Sequence, residues 1–346
     1  MFSKGDLLMQ DFLVGTCRAV GLLAQNVRIR DKAFAHLAET LMRGELSAPS
    51  WRAPVFPEND DKTFLQFLGV GNSINYCFTD FKTHGKFDTN FVFPDGSKRV
   101  VYGAFAMWAC LKRALNNGIP VLSARFLAEG LDEETYDQIF VPVTTPLPMR
   151  ESRIQNLRAT GEALLRWYDG AFSNLFDRAD FQVFRDDGNG IIQRLARHFL
   201  SYSRDMARYC GLSTPIPFHK RARLLALMYE GRARASEGCL PCLQDPGNIG
   251  PVADYDVPKA LRAVGVLRYS PHLSRLVDDG IPIHHGNVYE VEIRAQTVNA
   301  MDALCAAINR LRERAQPITQ IELDYAVWSA GREARGKHHY TKTTAY

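Results

Sequence analysis

The chain has little net charge, no long apolar run and no dense cysteine framework. Against 38 Asp and Glu stand 42 Lys and Arg, a formal charge of +4 over 346 residues. Bulk electrostatics therefore argue against a nucleic-acid binder, and any anionic ligand must be held by local positive charge. The longest apolar run, AFAMWACL at 104–111, is far short of the roughly 20 residues that cross a bilayer. The first fifteen residues, MFSKGDLLMQDFLVG, carry Asp6 and Asp11 and lack the uninterrupted apolar core of a signal peptide. Cys17, Cys77, Cys110, Cys210, Cys239, Cys242 and Cys305 are odd in number and scattered, which points to a reducing cytoplasm. No repeat, heptad run or low-complexity segment occurs, and Gly69-Val-Gly71 and Gly188-Asn-Gly190 lack the spacing of a phosphate loop. Cys239-Leu-Pro-Cys242 has no second knuckle, and His284 and His285 are adjacent, so one of them points away; no metal and no cofactor is expected.

What is present is an ordinary globular composition, 46% hydrophobic and 11% aromatic. Apolar spacings of three to four predict helices within 10–43, 100–115, 151–176, 191–210, 218–234, 258–267 and 319–332. At 288–295, VYEVEIRA alternates like a strand, but Asn287 followed by Glu290 approximates a capping box, and helical spacing continues to Leu311. One helix over about 288–314 is the reading. Between 64 and 93 aromatics interleave with polar residues without a helical period, as in a pocket wall or a few short strands. The proline-rich VPVTTPLPM at 141–149 reads as a connector between a part at 1–140 and a part at 150–346. The fold class expected is mainly α with a few short strands.

Four polar groups are poorly explained by packing alone. Asn72 and Asn75 lie three apart beside Tyr76 and Phe78, which suits a flat heteroaromatic ligand, although Asn-stabilised turns in an aromatic core are the slightly favoured reading. His219-Lys220-Arg221-Ala222-Arg223 gathers cations at a helix start, as an anion site or as a solvated basic face. In ADYDVP at 253–258, capping accounts for one carboxylate and leaves another beside Tyr255. Asp324 and Trp328 share a helix face in IELDYAVW.

Read in order, NSINYCF at 72–78, HFLSYSRD at 198–205, HKRARLL at 219–225, ADYDVPKALRAVGVLRYSPHL at 253–273, EVEIRAQTV at 290–298, LDYAVW at 323–328 and the terminal HHYTKTTAY resemble the queuosine salvage family, enzymes that release queuine from queuosine 5′-phosphate. The match runs from about residue 65 to 346, which favours one integrated unit. The resemblance implies a helical fold like that of the DNA glycosylases and a metal-free hydrolysis of an N-glycosidic bond. It implies Asp254 as the carboxylate beside the anomeric carbon, and Lys220 as its partner or as a phosphate ligand with Arg221. Phe78 and Trp328 would stack the base. Asn72, Asn75, Tyr255 and one of Asp324 or Glu292 would bind it, and His339 would reach the sugar or phosphate. Departures fall close to these positions: Thr79 where the family has Trp, Asp256 where it has Arg, and Arg223 where it has Gln. They put the exact substrate in question. A silent nucleotide-binding module and a glycosylase acting on polymeric nucleic acid are the rival readings, the second disfavoured by the small net charge.

Overall fold

The computed structural model describes residues 12–312 and 316–346. The chain opens with α1 (Phe12–Leu23), β1 (Val27–Ile29) and α2 (Asp31–Arg43) and then runs as a loop to α3 (Asp61–Ser73). Asp60 starts α3 by accepting a hydrogen bond from the Thr63 amide at 2.9 Å. This helix corrects the expectation of wall or strands from residue 64. Phe64, Leu65, Phe67, Leu68 and Val70 are all buried, so no solvated face remains to imprint a helical period on the sequence.

A hairpin follows, β2 (Asp88–Val92) against β3 (Lys98–Tyr102), with Asp88 opposite Tyr102. The helix expected from residue 100 begins only after Gly103, whose φ of 62° turns the chain out of β3 into α4 (Ala104–Asn116). Residues 100–102 are a β-branched and aromatic Val-Val-Tyr, and the strand takes them. Beyond it lie α5 (Glu133–Ile139), α6 (Arg150–Trp167), α7 (Phe172–Arg178), α8 (Ile191–His198), α9 (Leu200–Ser203) and α10 (Lys220–Arg234). The span expected at 151–176 is thus two helices, and that at 191–210 ends at Ser203, because Ala207 pairs with Ile216 in an antiparallel bridge.

The last third holds α11 (Asp256–Ala263), β4 (Leu267–Tyr269), α12 (Pro271–Asp279), α13 (Val288–Leu311) and α14 (Gln320–Glu333). Gly265, at φ 78°, ends the α11 turn, and β4 pairs antiparallel with the distant β1, Val27 opposite Tyr269. In α13 the residues that alternate like a strand go to different cores: Val291 packs with α1, whereas Ile293 packs with α2 and α12. A helix buried on both sides produces that pattern.

The largest core joins side chains from both sides of the proline-rich connector, with Phe67 and Trp108 in the same cluster as Leu164, Phe172 and Leu225. Among the described residues no helix is long and apolar enough to cross a membrane.

Candidate active site

A cavity with about 940 Å³ of empty space, its open mouth included, lies where α10, α11, α14 and the segments around residues 51–56, 75–86 and 102–108 meet. Its walls are aromatic. Trp51 packs edge-on against Phe56 and Tyr325, Phe56 against Trp108, and Trp328 against both Tyr325 and Phe105, with ring centroids 5.2–6.0 Å apart. Trp108 sits this deep because residue 71 is glycine: a Cβ there would stand 1.8 Å from the indole.

The charged groups that line the cavity include Asp254, Asp324 and Lys220. Asp254 immediately precedes α11, and its Oδ1 accepts from the amides of Asp256 and Val257, each at 2.9 Å. Burial pushes its carboxyl above the ordinary carboxylate range, and the Lys220 charge pulls it part of the way back. Asp324, on α14, is raised well above that range by burial and by the charge of Asp254. Its Oδ1 is buried without a hydrogen-bond partner. Lys220 opens α10, where burial lowers the ammonium and Asp254 opposes the shift.

A second layer holds these groups in place. The Lys220 amide donates to Asp205 Oδ2 at 2.7 Å, and Asp205 forms a two-pronged pair with Arg294 at 2.7 and 2.8 Å. Arg294 also donates through Nε to the carbonyl of Ala253, at 3.3 Å, and lies between the rings of Phe218 and Tyr346. One guanidinium on α13 therefore ties down the backbone on both sides of the Asp254–Lys220 pair.

Of the residues singled out from sequence, Asn75, Phe78, Lys220, Asp254, Tyr255, Asp324 and Trp328 line the cavity. Asn72 stands behind it, its Oδ1 accepting from Asn75 Nδ2 at 3.0 Å. Arg221 is buried between Tyr76 and Tyr202 and donates to the carbonyls of Ser73 and Ala345. Arg223, the other cation of that cluster, donates to the carbonyls of Phe218 and Ile249. The basic run is neither a solvated face nor a cavity wall, Lys220 apart. Glu292 lies elsewhere: its carboxylate gathers the amides of Gln25, Asn26 and Val27 and the Tyr209 hydroxyl, at 2.6–3.2 Å. His339 is buried against Tyr255, its Nε2 3.1 Å from the Tyr346 hydroxyl, and burial pushes it down to about 3.

Sequence reasoning did not find Trp51, Lys86, Tyr325, His338 or Tyr346, all of which line the cavity. A pair of adjacent histidines carries no sign of which one faces inward, and here it is His338. Trp51 and Lys86 lie in irregular segments, where no periodicity marks a buried face.

A helical scaffold enclosing an aromatic cavity, with a capped carboxylate, an unpaired carboxylate and an ammonium inside it, defines a protein built to hold a flat heterocycle and act on what it carries. The profile of the family described as queuosine salvage protein matches residues 55–346, and the chain belongs to that family. It is similar over its whole length to a protein of Sphaerobacter thermophilus, 28% identical with all of both chains covered. It is also similar to a Bos taurus protein, 28% identical over 94% of this chain and 95% of that one, and to a Dictyostelium discoideum protein, 24% identical with the same coverage. Each of the three is named a queuosine 5′-phosphate N-glycosylase/hydrolase.

Proposed function

We infer that the protein hydrolyses the N-glycosidic bond of queuosine 5′-phosphate, or of a related 7-deazapurine nucleoside monophosphate, and releases the free base. The observation that carries this reading is the buried Asp254 carboxylate, held by α11 amides beside Lys220 in an aromatic cavity. As the bond from the anomeric carbon to the base nitrogen breaks, its electron pair leaves with the base and positive charge develops on the ribose. Asp254 stabilises that charge and takes a proton from the water whose oxygen bonds to the anomeric carbon; the departing base takes up a proton in turn. Lys220 favours the ionised form of Asp254 by pulling back part of the rise that burial causes.

In this reading Phe78 and Trp328 stack the base. Asn75, steadied by Asn72, binds its edge together with Asp324, whose unpaired oxygen accepts from adjacent N–H donors. Tyr255 shapes the cavity wall, and His339 and Arg221 act from behind it by supporting Tyr255, Tyr346 and the 73–76 segment. The substrate is a mononucleotide and not a polymer, because one phosphate needs only local charge while the whole chain carries +4. Residues 1–140 and 150–346 work as one catalytic unit in the cytoplasm; the shared largest core and the seven free thiols support this.

Incubation with queuosine 5′-phosphate followed by mass spectrometry is the direct test. Free queuine and ribose 5-phosphate are expected, whereas bound but intact nucleotide would make the protein a binding module.

A further inference from the structure

The cavity has a polar side built by a short hairpin, the start of α11 and the last stretch of the chain. Thr79 and Lys86 face each other in an antiparallel bridge. Asp80 closes the turn between them, its Oδ1 accepting from the amides of Lys82 and Thr83 at 3.0 and 2.7 Å. Across from the hairpin is Asp256, whose Oδ2 lies 3.9 Å from the Lys86 ammonium, too far for a direct hydrogen bond. A pair of this length with a half-exposed lysine contributes little to folding. Its placement in the cavity wall is therefore not explained by stability.

His338 decides what Thr79 presents. His338 Nδ1 is 2.7 Å from the carbonyl of His339, which only accepts, so Nδ1 carries the proton. Burial holds the ring neutral, pushed down to about 4, so Nε2 is a lone pair. At 3.3 Å it takes the proton of Thr79 Oγ1, and the threonine oxygen is left as an acceptor. The wall thus offers two acceptors, Thr79 Oγ1 and the Asp256 carboxylate, and a donor, the Lys86 ammonium near Asp256 and across the bridge from Thr79. That set complements two neighbouring hydroxyls, each of which donates one hydrogen bond and accepts another.

Asp256 also fixes which hydroxyls these are. Its amide donates to Asp254 Oδ1 at 2.9 Å, so the two carboxylates share one helix start. If Asp254 acts at the anomeric carbon, the carbon bonded to it is the one bearing the 2′-hydroxyl. We propose that Asp256, with Lys86 and Thr79, binds the 2′,3′-diol of the ribose and sets a preference for ribonucleotides over 2′-deoxyribonucleotides. This rests on the N-glycosidase reading above.

The test compares kcat/KM of the wild type and Asp256→Asn on three substrates: queuosine 5′-phosphate, its 2′-deoxy counterpart, and 7-aminomethyl-7-deazaguanosine 5′-phosphate, which keeps the ribose diol but has none on its base. Losing one hydrogen bond to a charged group lowers the ribo-to-deoxy ratio by about 10- to 100-fold. Both ribonucleotides should lose by the same factor. Asn keeps the amide that Asp254 accepts from, and Thr79→Val, which removes only the hydroxyl, repeats the comparison with a smaller drop of about 3- to 10-fold. An unchanged ratio in both variants overturns the proposal, as does a loss confined to queuosine 5′-phosphate, which would assign the wall to the base substituent. Wild-type turnover with an unmoved ratio sinks this inference alone; no base release from any of the three substrates sinks the N-glycosidase reading and this inference with it.

Discussion

Among individual side chains, Asp324 carries the clearest cost to stability. Its oxygen is buried and unpaired, and its carboxyl is raised well above the ordinary range, chiefly by burial. In the folded protein it holds a proton that the unfolded chain releases at lower pH, so its contribution is favourable only in acid and is lost as pH rises. Asp324→Asn should therefore raise the melting temperature at neutral pH. The gain should shrink as pH falls from the raised folded value to the ordinary carboxylate range, and the variant should bind the base more weakly at every pH; thermal melts from pH 4 to 8 check the first. Lys220 acts in the opposite sense on Asp254, since its ammonium pulls the raised carboxyl downward. In Lys220→Met the acid limb of the kcat/KM profile moves to higher pH as kcat falls, and an unmoved limb would remove Lys220 from the tuning of Asp254. At this scale the sequence was partly legible. ADYDVP showed more carboxylate than a cap needs, but the cap turned out to be Asp254 itself, and the surplus is Asp256, facing Lys86.

Helix α13 ties more of the structure together than any other element, because both faces of its first half are buried and Glu290, Glu292 and Arg294 are internal ties. Arg294 reaches the Asp254 and Lys220 segments, while Glu292 closes the turn into β1 through three amides. Glu292→Ala leaves those amides without a partner and should cost about 3 kcal/mol in denaturant unfolding, with the acid limb of the activity profile unmoved. A shifted limb at unchanged stability would instead make Glu292 part of the site. The existence of α13 could be read from its cap and spacing, but the job of Glu292 could not, since the amides it gathers lie more than 260 positions away. Strand β3 and helix α3 were hidden for a related reason. Where an element is buried all round, or changes type at one glycine, the alternation of apolar and polar residues no longer reports its period.

Across the whole molecule, the cavity is assembled from segments between Trp51 and Tyr346 that no local pattern links. The final residues contribute directly: the carbonyl of Tyr346 accepts from the Cys77 amide at 3.2 Å, and its ring lies over Arg294. Motif order suggested which segments matter, and only the packing shows which side chains of each segment reach the same space. If Asp254 performs the hydrolysis, single-turnover release of queuine from queuosine 5′-phosphate by Asp254→Asn, with nucleotide affinity measured in parallel, separates its chemical role from its structural one. Asn caps a helix as well as Asp does, so the fold and the binding should persist while release slows by at least about 10³-fold. Release at the wild-type rate with intact binding would remove Asp254 from the reaction.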